Sequence, residues 1–174
     1  AEAMDTAQRG MGLDWNATRE LITRSGREAA VVGGRLACGA GTDQLAAQDV
    51  PAGARGLAVI TDAYREQIDV VTAAGANVIL MASRALARVA SSPEDYLSVY
   101  GTLLSEADRP VILHWLGEMF DPDLRGYWGS TDLYSATATF EALVRQHADK
   151  IDGVKVSLLD AAHEVALRRA LPEG

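Results

Sequence analysis

Apolar positions along the chain alternate between two periods. Leu21 and Ile22 lie in a first stretch of helical spacing, which Asp14 or Asn16 caps and which runs to about Ala30 before Gly33 and Gly34 break it. Arg35-Leu36-Ala37-Cys38 reads as a short strand leading into a glycine turn, Gly39-Ala40-Gly41-Thr42-Asp43, and Asp49 to Gly56 reads as a loop around Pro51 and Gly53. Tyr64, Ile68, Val71 and Ala74 recur every three or four residues, the mark of a helix face, and Gly75 supplies the stop. Asn77 to Ala82 follows at once as a strand. Ser92-Pro93-Glu94-Asp95 then predicts a helix start with a hydroxyl cap, and Tyr96, Leu97, Tyr100, Leu103 and Leu104 form its buried stripe. Pro110 to Leu116 is unbroken in its apolar character up to His114, which predicts a strand covered on both faces. Phe140, Leu143, Val144 and His147 mark another helix, Ile151 to Leu158 a fourth strand, and Asp160 the cap of a last helix carrying Val165 and Leu171.

Four short strands alternating with amphipathic helices predict an α/β domain with a parallel sheet of βαβ units, either an open doubly wound sheet or part of a (β/α)8 barrel. A dinucleotide fingerprint would favour the first, but Gly39-Ala40-Gly41 lacks its third glycine and Asp43 would repel a pyrophosphate. Polar residues instead gather where strands end: Asp43 and Gln44, Ser83 and Arg84, His114 and Glu118, Lys155 and Ser157. In a barrel these positions converge on the C-terminal mouth, where catalytic groups sit.

Lys155 is the most informative of them. It lies within an apolar strand, in a chain whose only other lysine is Lys150. An amine attacks a carbonyl as a guanidinium does not, and burial would favour the neutral amine that forms a Schiff base. A lysine at a strand end also snorkels to water, so the strand leaves both readings open.

The chain has 174 residues, 48% of them hydrophobic and 23% charged, which suits one domain spanning residues 1–174. A formal charge of -8 argues against nucleic acid or an anionic membrane surface as partner. Cys38 is the single cysteine, so neither a disulfide framework nor a cysteine metal cluster is expected, and a cytoplasmic location is the default. No apolar run reaches the length of a membrane helix.

Several segments together resemble the dihydrodipicolinate synthase and N-acetylneuraminate lyase superfamily of class I aldolases. Gly153-Val154-Lys155 resembles the Gly-Ile-Lys segment whose lysine forms the Schiff base, and Pro110-Val111-Ile112-Leu113-His114 resembles the preceding Pro-Val-Ile-Leu-Tyr. Ala73-Ala74-Gly75-Ala76-Asn77 with Val78-Ile79-Leu80 is similar to the helix end and strand before both. Asp5-Thr6-Ala7-Gln8-Arg9, followed by Leu13-Asp14-Trp15, lies where that family has its Gly-Thr-Thr-Gly-Glu loop and next helix cap. The resemblance implies a partial TIM barrel holding about strands three to six and the tail of two, and hence a fragment of a fold of about 250 residues. His114 stands where the family has its proton-shuttling tyrosine, Ala7 replaces the second threonine, and Ser83-Arg84-Ala85-Leu86 lacks the aromatic pair after the fourth strand. These departures point away from dihydrodipicolinate synthase itself, to a divergent bacterial branch with no assigned reaction.

The expected chemistry is C–C cleavage or condensation on a 2-oxo acid or keto sugar-acid derivative. Lys155 is the expected nucleophile and His114 the proton relay, with a neutral-range imidazole in the tyrosine's place. The resemblance adds Thr6 as a catalytic residue. Gln8, Asp43, Arg84, Glu118 and Ser157 are candidate substrate contacts, Arg84 as a clamp for a carboxylate. No cofactor is expected, the partner is a small carbonyl compound, and self-association into a homo-oligomer would cover the open sheet edges. Alternatives are a metal-dependent lyase or isomerase using His114, Glu118 and Asp43, or a non-catalytic barrel-derived binding protein. A chain missing half its barrel is expected to be inactive or poorly stable alone.

Overall fold

The computed structural model describes residues 11–172. Helix α1 spans Trp15–Val31, with Asp14 as its cap: the Asp14 carboxylate accepts the Ala17 N–H at 2.8 Å, as an N-cap should. Strand β1 is Ala37–Ala40, and the glycine turn of the sequence reading is partly inside it. Helix α2 spans Gly53–Ala73 and begins within the segment expected to be a loop. Gly75 ends it at φ +74°, a left-handed conformation that a side chain resists, and β2 (Asn77–Leu80) follows.

A short helix α3 (Arg84–Val89) was not expected from periodicity; Ser83 caps it, its hydroxyl accepting the Leu86 N–H at 3.0 Å. Helix α4 (Pro93–Glu106) starts at the predicted proline, but the Ser92 hydroxyl does not cap it. Asp95 instead turns back to accept from the Ser91 amide and hydroxyl at 2.7 and 2.9 Å. Strand β3 (Val111–Leu116), helix α5 (Leu133–Gln146), strand β4 (Ile151–Ser157) and helix α6 (Ala161–Ala170) complete the chain, with Asp160 capping α6 as predicted.

All four strands are parallel and lie in the order β1-β2-β3-β4. The connections run in one continuing direction across the sheet, and the helices pack against one of its faces. The core records this. Cys38, Ala40, Val78, Leu80, Val111, Leu113 and Trp115 belong to one buried cluster with Ile22, Ile60, Val71, Leu104, Phe140 and Leu167 from the helices. Ile79 and Met81 form a separate small cluster with Ala37 and Ile112 on the opposite face. The arrangement is an all-parallel sheet covered by helices on one face, compatible with part of an α/β barrel.

Helix α1 turns Thr18, Ile22 and Gly26 inward, one residue per turn, against α2. At Gly26 a Cβ would stand 2.2 Å from the Ala74 carbonyl oxygen, so only glycine allows this approach. Strand β4 has a single neighbour, and none of its residues is fully buried, although its sequence is apolar. No described helix is long and apolar enough to cross a membrane.

Candidate functional site

Strand β3 delivers His114 to the face opposite the helices. The ring is 4% exposed, with Nδ1 3.3 Å from the Met81 sulfur and Nε2 3.1 Å from the Ser157 hydroxyl oxygen. A thioether has no proton to give, so the Nδ1 contact calls for N–H there. Nε2 is then left to accept from Ser157. The parallel ladder pairs His114 with Lys155 and Leu116 with Ser157. Side chains two apart on a strand share a face, so Lys155 and Ser157 both project on the side of His114.

The lysine itself departs from expectation. Lys155 is exposed, not buried, because β4 is an edge strand with open space beside it; a Cβ on neighbouring Gly153 would meet nothing within 4 Å. Lys150, the other lysine, donates to the Ala107 carbonyl at 2.7 Å and closes the end of α4.

Arg84 lies at the ends of β1 to β3, as predicted, but its partners are protein carboxylates. Its Nε donates to Asp121 at 2.7 Å, with Asp123 at 3.8 Å and Asp43 4.0 Å from Nη1. The loop after β3 folds back onto α3 and brings Asp121, 6% exposed, to the guanidinium. The expected clamp for a substrate carboxylate is thus already engaged.

Glu118 is more than half exposed, 3.9 Å from Arg125. It lines a cleft of about 280 Å³ with Trp115, Tyr127, Thr131, Leu158 and Asp160. Trp115 and Leu158 belong to the helix side of the sheet, so this cleft lies behind the face that carries His114. His114, Glu118 and Asp43 accordingly do not assemble as the metal reading required, and no group of three His, Cys, Asp or Glu side chains is placed to hold a metal among the described residues. His163 is structural, beside Trp115 and 3.2 Å from the Thr137 hydroxyl. Thr6 and Gln8 lie outside the described residues.

Sequence reasoning missed a buried hydroxyl network beneath the site. Tyr100 OH lies 2.9 Å from Tyr127 OH and 3.3 Å from Tyr64 OH. Tyr64 and Tyr100 both donate to the Met81 carbonyl, at 2.5 and 3.2 Å, and Tyr127 accepts the Ser83 N–H at 2.9 Å. Ser83 Oγ is also 2.5 Å from Thr42 Oγ1. Both sides of the turn from β2 to α3 are held in this way, which sets Met81 against His114 and Arg84 against Asp121. Burial pushes all three phenols well above the usual tyrosine range, so they act as fixed neutral hydrogen-bonding groups. The signal was present only as three tyrosines, two on helix stripes and one in a loop. Gln67 completes the layer, accepting the Gly41 N–H at 2.7 Å and donating to Gln44 at 2.6 Å. Cys38 is fully buried and its thiol is pushed up to about 11 by desolvation, which makes it a core residue without nucleophilic use.

Compared with known proteins, the chain matches one family model over residues 1–174, described as "Protein of unknown function (DUF993)". No curated protein matches it.

Proposed function

The chain belongs to the DUF993 family, whose description names no reaction, and from the geometry we propose that it is a Schiff-base-forming lyase of the class I aldolase type, built on part of a (β/α)8 barrel. Its substrate in this reading is a 2-oxo acid or keto sugar-acid derivative. The observation that carries the proposal is the pairing of Lys155 with His114 in register on adjacent parallel strands, on the sheet face away from the helices. A primary amine beside an ordered imidazole and a hydroxyl combines a carbonyl nucleophile with groups that move protons. Lys155 attacks the carbonyl, water leaves, and the iminium accepts the electron pair of the breaking C–C bond. Singly wound parallel strands with all helices on one face support the barrel.

Lys155 is exposed, so a carbonyl compound has direct access to its amine. The test is incubation with pyruvate, borohydride reduction and peptide mass mapping. The expected result is one adduct, on Lys155, with Lys150 unmodified as internal control. No adduct, or equal labelling of the two lysines, would refute the reading.

A further inference from the structure

The Schiff-base reading needs a group that touches the substrate and exchanges protons with it, and His114 is badly placed for direct contact. It is 4% exposed, and both ring nitrogens face protein atoms, Met81 Sδ and Ser157 Oγ. Ser157 is different. It is only half-buried, stands two residues beyond Lys155 on the same strand face, and is hydrogen-bonded at 3.1 Å to the imidazole Nε2. We infer that Ser157 is the hydroxyl that carries protons to and from the substrate bound at Lys155, with His114 as the base behind it; the inference rests on the Schiff-base reading above.

The step balances as follows. With the iminium formed on Lys155, the Ser157 oxygen takes a proton from the carbon next to the iminium carbon, while its own proton passes to His114 Nε2. The C–H electron pair becomes the enamine double bond, and the former C=N π pair returns to nitrogen. The iminium charge is thereby replaced by an imidazolium charge, with nothing oxidised or reduced. Reversal delivers the proton back to carbon. For cleavage, the substrate hydroxyl proton follows the same path as the C–C bond breaks. This direction requires His114 protonated at Nδ1, the nitrogen 3.3 Å from the Met81 sulfur, with Nε2 accepting the Ser157 proton.

The experiment uses the full chain with pyruvate in deuterium oxide and follows loss of the methyl signal by proton NMR, beside borohydride trapping in the same samples. Ser157→Ala is expected to retain the Lys155 adduct while exchange falls by about 10²-fold or more, the usual scale of general acid–base catalysis. Ser157→Thr keeps the hydroxyl and is expected to stay within about tenfold of the parent. His114→Gln should lose about as much exchange as Ser157→Ala, and the double variant no more than either alone, because the two act as one unit. A parent chain without the adduct overturns the Schiff-base reading and the relay with it. A parent with the adduct, whose Ser157→Ala variant exchanges within about threefold of it, overturns the relay alone. Multiplicative losses in the double variant, or loss of the adduct itself in Ser157→Ala, overturn it too.

Discussion

Tyr127→Phe removes one hydroxyl and leaves the ring, its volume and its packing against Tyr96 and Trp128 in place. That hydroxyl accepts the Ser83 N–H at 2.9 Å, and Ser83 is 1% exposed, so the amide loses this partner without access to water. A buried donor left unpaired costs about 1–3 kcal/mol. At about 2–4 °C per kcal/mol for a chain of this size, the melting midpoint should fall by about 2–12 °C. Tyr100→Phe provides the comparison. Its loss leaves Met81 O with the Tyr64 donor and Ser83 N–H with Tyr127, so no backbone group is orphaned, and the cost should stay near the about 0.5–1.5 kcal/mol of an ordinary hydrogen bond. Tyr134→Phe, at a position 83% exposed, should be silent. Urea unfolding of the three variants under one buffer is the assay. Equal midpoints for Tyr127→Phe and Tyr134→Phe would show that the network is not what holds the turn after β2.

Two further outcomes follow from packing and charge. Gly26→Ala drives a Cβ into the Ala74 carbonyl and should destabilise by about 1–3 kcal/mol, whereas Gly153→Ala, with nothing within 4 Å, should leave the urea midpoint nearly unchanged; the reverse order would contradict the packing described. Asp95 is held below its ordinary value of 3.8 by the Ser91 amide, so its contribution is fully present above that value and is lost as pH falls through the lower folded one. Asp95→Asn should therefore lower stability at neutral pH and shrink the acid-side loss, and an unchanged acid limb in urea midpoints across pH would refute this.

Much of the candidate site was legible from residue order alone. Ser157 ends its strand, and Asp43 and Arg84 lie beyond theirs, because a polar residue closing an apolar run marks where a strand leaves the core, whereas His114 and Lys155 sit inside β3 and β4. Their partners were not legible. Arg84 meets Asp121 across 37 positions, and Tyr127 meets Ser83 across 44. No periodicity within a window of a few turns carries that information, since it depends on how the loop after β3 folds back over α3.

Element type was set locally. Asp14 and Asp160 cap their helices and Gly75 stops α2 because those signals act within four residues, through hydrogen bonds and backbone sterics that need no tertiary partner. Burial was decided by the sheet as a whole. An apolar run such as Ile151 to Leu158 reads as interior, yet β4 has a neighbour on one side only, and Lys155 stands in the open as a result. The residue sequence determined where strands and helices form and which polar groups end them. Strand order and loop return determined which of those groups are buried, which are paired, and that the imidazole meets the Ser157 hydroxyl.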